Sequence, residues 1–318
     1  MSALTPPGIT PIANEDLIPK DWEAYLDIYM RLSAGTLFHY TSQSGLLAIL
    51  DQKRLRATDI RFLNDAQEFE HASTVALAAI SDLAETLDAD ERDFLSALPL
   101  VNVHALGTVP TAFIFSLTEL ADDLSQWRAY CPAGGFAIGF EIRRLVTAGA
   151  RHGFRLSRCI YDEAEQLEAM KRLLDEAILR FRTPAERATA QTRFADDFLR
   201  LAPLLKHPSF KAEREWRLVS TPERYSEPAQ VGIKLREGRT MPVPYVELPL
   251  SLDHLDVTAL EKQLTPSYVL WPIPELWIGP SANPELAFIS ASVAILREFP
   301  IHDILRIRHS EIPYRNWL

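Results

Sequence analysis

AFIFSLTELADDLSQWRAYCPAGGFAIGFE, Ala112–Glu141, is the stretch that indicates the fold most clearly. It begins with an apolar run typical of a buried strand, and Phe136–Phe140 repeats that pattern after a glycine pair. A helix is predicted between the two runs, with Asp122 or Asp123 able to cap its N-terminus. This helix is rich in Gln, Trp, Arg and Tyr rather than in Leu and Ala, so a packing role alone explains it poorly. The stretch therefore predicts a strand–helix–strand unit whose helix forms the wall of a pocket.

The composition indicates a folded protein without a membrane span. The chain has 318 residues, of which 47% are hydrophobic, and this is enough to bury a substantial core. No run approaches the roughly 20 apolar residues of a transmembrane helix, and the N-terminus lacks the pattern of a signal peptide. Cys131 and Cys159 are the only cysteines, and they form no metal-binding motif. We therefore expect a cytoplasmic protein with no bound metal and no membrane partner.

The charge of the chain argues against a general nucleic-acid binder. The formal net charge is −10, and the arginines form no continuous basic run. Modification of a nucleic acid is less attractive on this ground, but it stays open as an alternative.

Helices and strands alternate along the rest of the chain, which predicts a single α+β domain over residues 21–318. Residues 1–20 contain several prolines and are predicted to form an extended arm, and Asp21–Leu32 has the pattern of an amphipathic helix. Leu55–Asp65 has a mixed pattern typical of a loop. Asp162–Lys206 reads as two helices separated near Pro184, inserted on a mainly β scaffold with solvated charged faces. Further strands are predicted at 37–42, 154–161, 213–220, 231–235, 243–250, 268–279 and 303–308, with other helices at 66–87, 88–98 and 284–298.

Two glutamates, Glu213 and Glu215, stand at the start of the strand predicted over Glu213–Ser220. Because strand side chains alternate, both carboxylates would project from one face. Neighbouring carboxylates raise each other's proton affinity or find hydrogen-bonding partners, and such pairs are often functional. A surface strand edge, neutralised by Arg214 and Arg217, explains the pattern about as well.

Several other side chains have both a functional and a structural interpretation. His39 ends a predicted strand before a helix N-terminus, a favourable place for an anion, where it could donate a hydrogen bond to a ligand hydroxyl or serve the core. Tyr40 and Trp127 could stack on a planar ring or simply pack. Asn64 and Asp65 could face a ligand or cap a helix. The sequence has no P-loop, nucleophile elbow, dinucleotide fingerprint or zinc-protease motif, which excludes several common enzyme classes.

Five segments resemble, in order, the bacterial domain-of-unknown-function family 2971 (DUF2971). The resemblance spans roughly Leu37 to Arg315, and the long helices at Asp162–Lys206 are its least similar part. The segments are FHYTSQSGLLAIL, LRATDIRFLNDAQEFE, FSLTELADDLSQWRAYCPAGGFAIGFE, HPSFKAEREWRLVS and IRHSEIPYR.

The order of these motifs also resembles the ADP-ribosyltransferase superfamily. There, a first-strand His or Arg holds the adenosine side of NAD, a later strand carries a Ser/Thr motif, and a final strand carries the catalytic Glu, often as ExE. His39 matches the first element, Ser116-Leu117-Thr118 the second, and Glu213-Arg214-Glu215 the third. A His-type first motif combined with an ExE-type last motif leaves the subclass and the acceptor open.

The resemblance implies an α+β fold with a split, mainly antiparallel β core, an N-terminal helical region and a helical insertion.

The resemblance also implies NAD as a co-substrate and a role for each matching residue. Cleavage of the nicotinamide–ribose bond passes through an oxocarbenium-like state, which Glu215 would stabilise while binding the ribose 2′-hydroxyl. Glu213 would orient or deprotonate the acceptor, and Ser116 would position Glu215. The remaining NAD-binding residues would be His39 at the adenosine ribose, Tyr40, Thr41 and Ser42 beside it, Asn64 and Asp65 facing the ligand, and Gln126, Trp127 and Arg128 along the pocket, with Arg128 near the pyrophosphate.

We therefore expect NAD-dependent transfer of ADP-ribose to an unknown protein or nucleic-acid acceptor. Such an enzyme would act as a toxin or phage-defence effector, with an inhibitory partner as one way to restrain it. If water were the acceptor, the protein would be a NAD glycohydrolase. The alternative from another class is a non-catalytic nucleotide-binding sensor or interaction module, and the sequence leaves the oligomeric state open.

Overall fold

The computed structural model describes residues 35–63, 68–100, 110–223, 232–238, 240–250, 273–298 and 306–313. The predicted N-terminal arm and the helix predicted at Asp21–Leu32 lie outside these residues. The chain divides into two compact units, of which the first comprises Met1–Leu55, Ser116–His152 and Leu248–Leu318 and the second Arg56–Phe115 and Gly153–Glu247.

Strands and helices alternate along the described chain. The strands are β1 (Thr36–Thr41), β2 (Arg54–Asp59), β3 (Phe113–Thr118), β4 (Phe136–Glu141), β5 (Phe154–Arg158), β6 (Glu215–Ser220), β7 (Lys234–Arg236), β8 (Val243–Pro249), β9 (Glu275–Ile278) and β10 (Arg306–His309). The α-helices are α1 (Gln43–Gln52), α2 (Glu68–Ala84), α3 (Ala89–Ser96), α4 (Leu124–Tyr130), α5 (Ile142–Arg151), α6 (Glu163–Arg182), α7 (Ala190–Leu201) and α8 (Pro284–Glu298). Short 3-10 helices span Ile60–Phe62, Arg187–Thr189, Ala202–Leu204 and Pro208–Glu213.

The first unit is organised around β4, which lies between β1 and β9 and is antiparallel to both. β10 pairs with β9 in parallel, and the end of β3 joins β1 where Thr118 faces Phe38. Leu37 and Phe140, cross-strand partners in β1 and β4, are fully buried. The apolar runs predicted as strands thus form the centre of this unit, because their side chains fill its core.

The second unit combines short antiparallel strand pairs with the two long helices. β5 pairs with β6, β2 with β3, and β7 with β8, in each case antiparallel. Phe194 and Phe198 of α7 are fully buried, as is Met170 of α6. The helical pair predicted at Asp162–Lys206 is therefore present and contributes to the core of its unit, while charged side chains such as Glu168 and Arg172 are exposed, as expected.

The mixture of helices with a mostly antiparallel sheet confirms the expected α+β class. The loop expected at Leu55–Asp65 was wrong over its first part, because β2 and a 3-10 helix occupy Arg54–Phe62. The strand was not predicted because charged residues interrupt its apolar pattern. Asp59 is fully buried in β2 because Arg61 neutralises it, with Nη2 lying 2.7 Å from Oδ2.

Candidate functional site

His39 in β1 contacts the main chain of Ser116 in β3, so two of the predicted motifs meet in the first unit. The Nδ1 atom of His39 lies 2.9 Å from the carbonyl oxygen of Ser116. A carbonyl oxygen can only accept a hydrogen bond, so Nδ1 carries the proton and Nε2 is the acceptor nitrogen of the neutral ring. The sequence predicted that His39 could donate to a ligand hydroxyl, whereas in this tautomer Nε2 can only accept a hydrogen bond.

The protonation state of His39 follows from its surroundings. Burial lowers the pKa of this imidazole to about 4, although the hydrogen bond to Ser116 opposes that shift. The ring is therefore neutral at physiological pH.

The aromatic residues predicted to line a pocket pack against each other. The rings of Tyr40 and Trp127 meet edge to face with their centroids 4.5 Å apart, and both side chains are buried. The Tyr40 hydroxyl accepts a hydrogen bond of 3.0 Å from the backbone N–H of Asp123. Trp127 donates from Nε1 to Asp122 Oδ1 over 2.7 Å. Both side chains thus fix the position of α4.

Two glycines allow the chain to close around these rings. A Cβ atom on Gly279 would lie 2.9 Å from the Trp127 ring. A Cβ atom on Gly135 would lie 2.5 Å from the Thr41 carbonyl oxygen and 2.7 Å from the Cys131 Sγ. The end of β1 and the loop before β4 are therefore in direct contact, which holds Thr41 in place.

The other predicted binding residues in the first unit have varied surroundings. Ser42 caps α1, since its hydroxyl accepts a hydrogen bond of 3.2 Å from the Gly45 N–H. Gln126 is buried and Arg128 is exposed on α4. Asn64 and Asp65 lie outside the described residues.

The glutamates of the ExE motif lie in the second unit and share one lysine. The ammonium of Lys206 is 2.6 Å from Glu213 Oε2 and also donates a hydrogen bond to Glu215 Oε2. Arg217 contacts both oxygens of Glu215, from Nε to Oε1 over 2.8 Å and from Nη2 to Oε2 over 3.0 Å. Glu215 is buried and is held by two cations.

The predicted strand at Glu213–Ser220 was wrong at its first residues, because β6 begins at Glu215. Glu213 ends a 3-10 helix, and Arg214 takes a left-handed conformation with φ of 45°. The alternation of strand side chains therefore does not bring the two carboxylates together. Their common contact with Lys206 does so.

The electrostatics of this cluster keep Glu215 ionised. Burial would raise the pKa of Glu215, but the charges and hydrogen bonds of Arg217 and Lys206 outweigh burial and lower it to about 2. Burial likewise opposes charge on Lys206, yet Glu215 and Glu213 raise the pKa of its ammonium above the ordinary value. The backbone N–H of Glu215 donates to the Tyr161 hydroxyl over 2.9 Å.

Sequence reasoning missed Lys206, whereas it proposed Arg217 as a neutralising partner. The available signal was the position of Lys206 at the end of the apolar run Leu201–Leu205, shortly before the two glutamates. A lysine that ends such a run is only weakly informative, because lysines at the ends of apolar segments usually reach solvent.

The described part of the chain contains neither a cluster of metal ligands nor a membrane-spanning helix. There, no group of at least three His, Cys, Asp or Glu side chains is placed to hold a metal ion. None of the helices in the same residues has the length and apolar character needed to cross a membrane.

A family model described as a protein of unknown function, DUF2971, matches residues 126–218. No curated protein and no solved structure matches the chain. The matched region contains the helices α6 and α7, which were expected to be the least similar part of the chain. It also contains Lys206, Glu213, Glu215 and Arg217. The resemblance to DUF2971 is thereby confirmed over residues 126–218.

Proposed function

We propose that this protein is a NAD-dependent ADP-ribosyltransferase. The observation that carries the proposal is the hydrogen bond between His39 and Ser116, which are 77 residues apart in the sequence. These residues belong to the motifs that, by resemblance, hold the adenosine side of NAD and support the catalytic strand. A neutral His39 with Nε2 as acceptor suits a ribose hydroxyl, which is a hydrogen-bond donor.

The ExE motif brings two carboxylates to one lysine, and the proposed chemistry uses a carboxylate to stabilise positive charge. In the transfer, nicotinamide leaves C1′ of the ribose with the bonding electron pair, and the sugar acquires oxocarbenium character. The acceptor then bonds to C1′ and gives up its proton. A carboxylate that is fixed in a largely buried setting stabilises such charge more strongly than one in water, and the glutamate pair held by Lys206 provides carboxylates of this kind.

The ion pairs of Glu215 favour a second candidate, a non-catalytic nucleotide-binding sensor. Lys206 and Arg217 together occupy both oxygens of the carboxylate. A ribose hydroxyl would have to compete with these cations, whereas a protein that only binds a nucleotide needs no such exchange. Hydrolysis of NAD, with water as the acceptor, is the variant of the leading proposal that needs no second substrate.

The test is nicotinamide release from NAD by the purified protein, with NAD binding measured by calorimetry. His39→Ala and Glu213→Gln remove predicted contacts, and Glu168→Gln is the matched control because Glu168 is an exposed carboxylate paired with Arg172. We expect release by the wild type and the control, and a loss of about 10²-fold or more in His39→Ala and Glu213→Gln.

The outcomes separate the candidates. NAD binding without release, in the presence of a cell extract as a source of acceptors, would support the sensor and contradict the enzyme. A protein that neither binds nor cleaves NAD would refute both. Glu215→Gln is a poor probe of chemistry, because it leaves two buried cations without their full counter-charge.

A further inference from the structure

The glutamate pair belongs to a cluster of four charged side chains whose geometry assigns different tasks to its members. Two are anions and two are cations, so the cluster is neutral as a whole. Three of the four are buried, whereas the Glu213 side chain is 23% exposed. The members are Lys206, Glu213, Glu215 and Arg217.

Lys206 is held in place through its main chain. Its N–H donates to the Ile160 carbonyl over 3.0 Å, and its own carbonyl accepts from Gln166 Nε2 over 2.8 Å. Gln166 is completely buried in α6 and also donates to the Ile160 carbonyl over 2.7 Å. The Gln166 oxygen lies 2.8 Å from His71 Nε2 on α2, which donates to it. The backbone of Lys206 therefore cannot shift without breaking a buried hydrogen-bond network.

The side chain of Lys206 then determines where both carboxylates lie. Its ammonium contacts Glu213 and Glu215 at once and lies 5.0 Å from the centroid of the Phe210 ring. Arg214, between the glutamates, has a left-handed backbone that residues with a side chain seldom adopt. Such a conformation persists only where the surrounding contacts stabilise it. Lys206 provides such contacts, because it binds the side chains of the residues immediately before and after Arg214.

The two carboxylates differ in how deeply they are buried. Glu215 is fixed at both oxygens by Arg217 and Lys206, and Arg217 is itself tied to the Pro203 carbonyl over 2.6 Å. The Glu215 side chain is 8% exposed, against 23% for Glu213. A substrate arriving from solvent therefore meets Glu213 first.

We propose that Glu213 is the carboxylate that contacts the substrate, that Glu215 is its buried anchor, and that Lys206 is the positioning residue of both. This assignment rests on the proposed transferase function. It keeps Glu213 as a substrate contact, but it withdraws from Glu215 the direct contact with the ribose that the motif resemblance implies. It also gives α6 a task, since Gln166 fixes the main chain of Lys206.

The first experiment does not depend on NAD. The Glu215 carboxyl is titrated by ¹³C NMR in the wild type, in Lys206→Met and in Lys171→Met, a control that removes a more exposed ammonium paired with Asp82. The titration midpoint of Glu215 moves upward in Lys206→Met and stays in place in Lys171→Met. An unchanged midpoint in Lys206→Met would overturn the position assigned to Lys206.

The second experiment measures nicotinamide release. Lys206→Met and Glu213→Gln lower kcat by about 10²-fold with little change in KM, and the unfolding temperature of Glu213→Gln stays close to that of the wild type. Lys206→Arg keeps the positive charge and retains more of the kcat than Lys206→Met does. If Lys206→Met does not fold, Lys206→Gln, which is polar but uncharged, replaces it in both measurements, with an upward shift of the Glu215 midpoint and a reduced kcat expected.

The possible failures are distinguishable. If the wild type releases no nicotinamide, the proposed function fails, while the Glu215 titration still judges the position of Lys206. If the wild type is active and Glu213→Gln keeps its full kcat, the role assigned to Glu213 is wrong and the transferase proposal stands.

Discussion

Lowering the pH is expected to destabilise the protein through His39, because this residue is held neutral in the folded state. Its pKa is about 4 in the fold and 6.5 in its ordinary state. Between these values the unfolded chain binds a proton that the folded chain does not, so the free energy of unfolding falls as the pH falls. The largest slope is about 1.4 kcal/mol per pH unit, which gives a loss of about 2 kcal/mol between pH 7 and pH 5.

The assay compares urea unfolding at pH 7 and pH 5 for the wild type and His39→Gln. Glutamine offers an amide that can donate to the Ser116 carbonyl and has no proton to gain, so the His39 share of the pH dependence disappears. His152 also has a pKa lowered by burial and by nearby arginines, and it acts with the same sign. His152→Gln is therefore the control, and it should retain the larger share of the pH dependence.

Glu215 does not interfere in this pH range. Its pKa is lowered from 4.5 to about 2 in the fold, so its contribution to stability is present above pH 4.5 and is lost as the pH falls toward 2. The reasoning about His39 would be refuted if His39→Gln kept the pH dependence of the wild type between pH 7 and pH 5. An NMR titration with a His39 midpoint near 6.5 would refute it equally.

Further predictions concern single substitutions, each checked by urea unfolding at pH 7. Gly135→Ala should lower the free energy of unfolding by about 1–3 kcal/mol, because its Cβ atom would lie 2.5 Å from the Thr41 carbonyl oxygen. Gly134→Ala is the control, since a Cβ atom there meets no neighbour and any loss of stability reports backbone strain alone. Asp123→Ala should cost about 1 kcal/mol, since it removes the cap of α4, and an unchanged stability would contradict that role. Glu215→Gln should cost about 3–5 kcal/mol because two buried cations lose their counter-charge; a near-neutral effect would show that the cluster is open to water.

Local sequence patterns predicted the central strands of the first unit well. β1 and β4 lie where the apolar runs placed them, and Asp123 caps α4 as one of the two proposed residues. These features depend on short-range rules, namely the alternation of a buried strand and the hydrogen bond of a cap. Such rules need no knowledge of what the segment packs against.

Where tertiary packing decides the surroundings of a side chain, the same rules left alternatives open. Trp127 and Tyr40 carry polar atoms, and the polar character of α4 suggested a pocket wall. In the fold those atoms bond to Asp122 and to the Asp123 main chain, and the rings bury each other. An amphipathic aromatic can be satisfied in a core or exposed to a ligand, and composition does not distinguish the two cases.

The glutamate motif shows the same limit in its electrostatics. Two carboxylates separated by one residue suggest a strand face, yet Arg214 departs from strand geometry and the pair converges on Lys206. The amide of Gln166, a residue of α6, helps to fix that lysine. Whether a carboxylate pair is reactive or neutralised depends on the cations that reach it, and these are set by tertiary packing. The charge balance of this cluster, more than the presence of two glutamates, should therefore determine what the motif does.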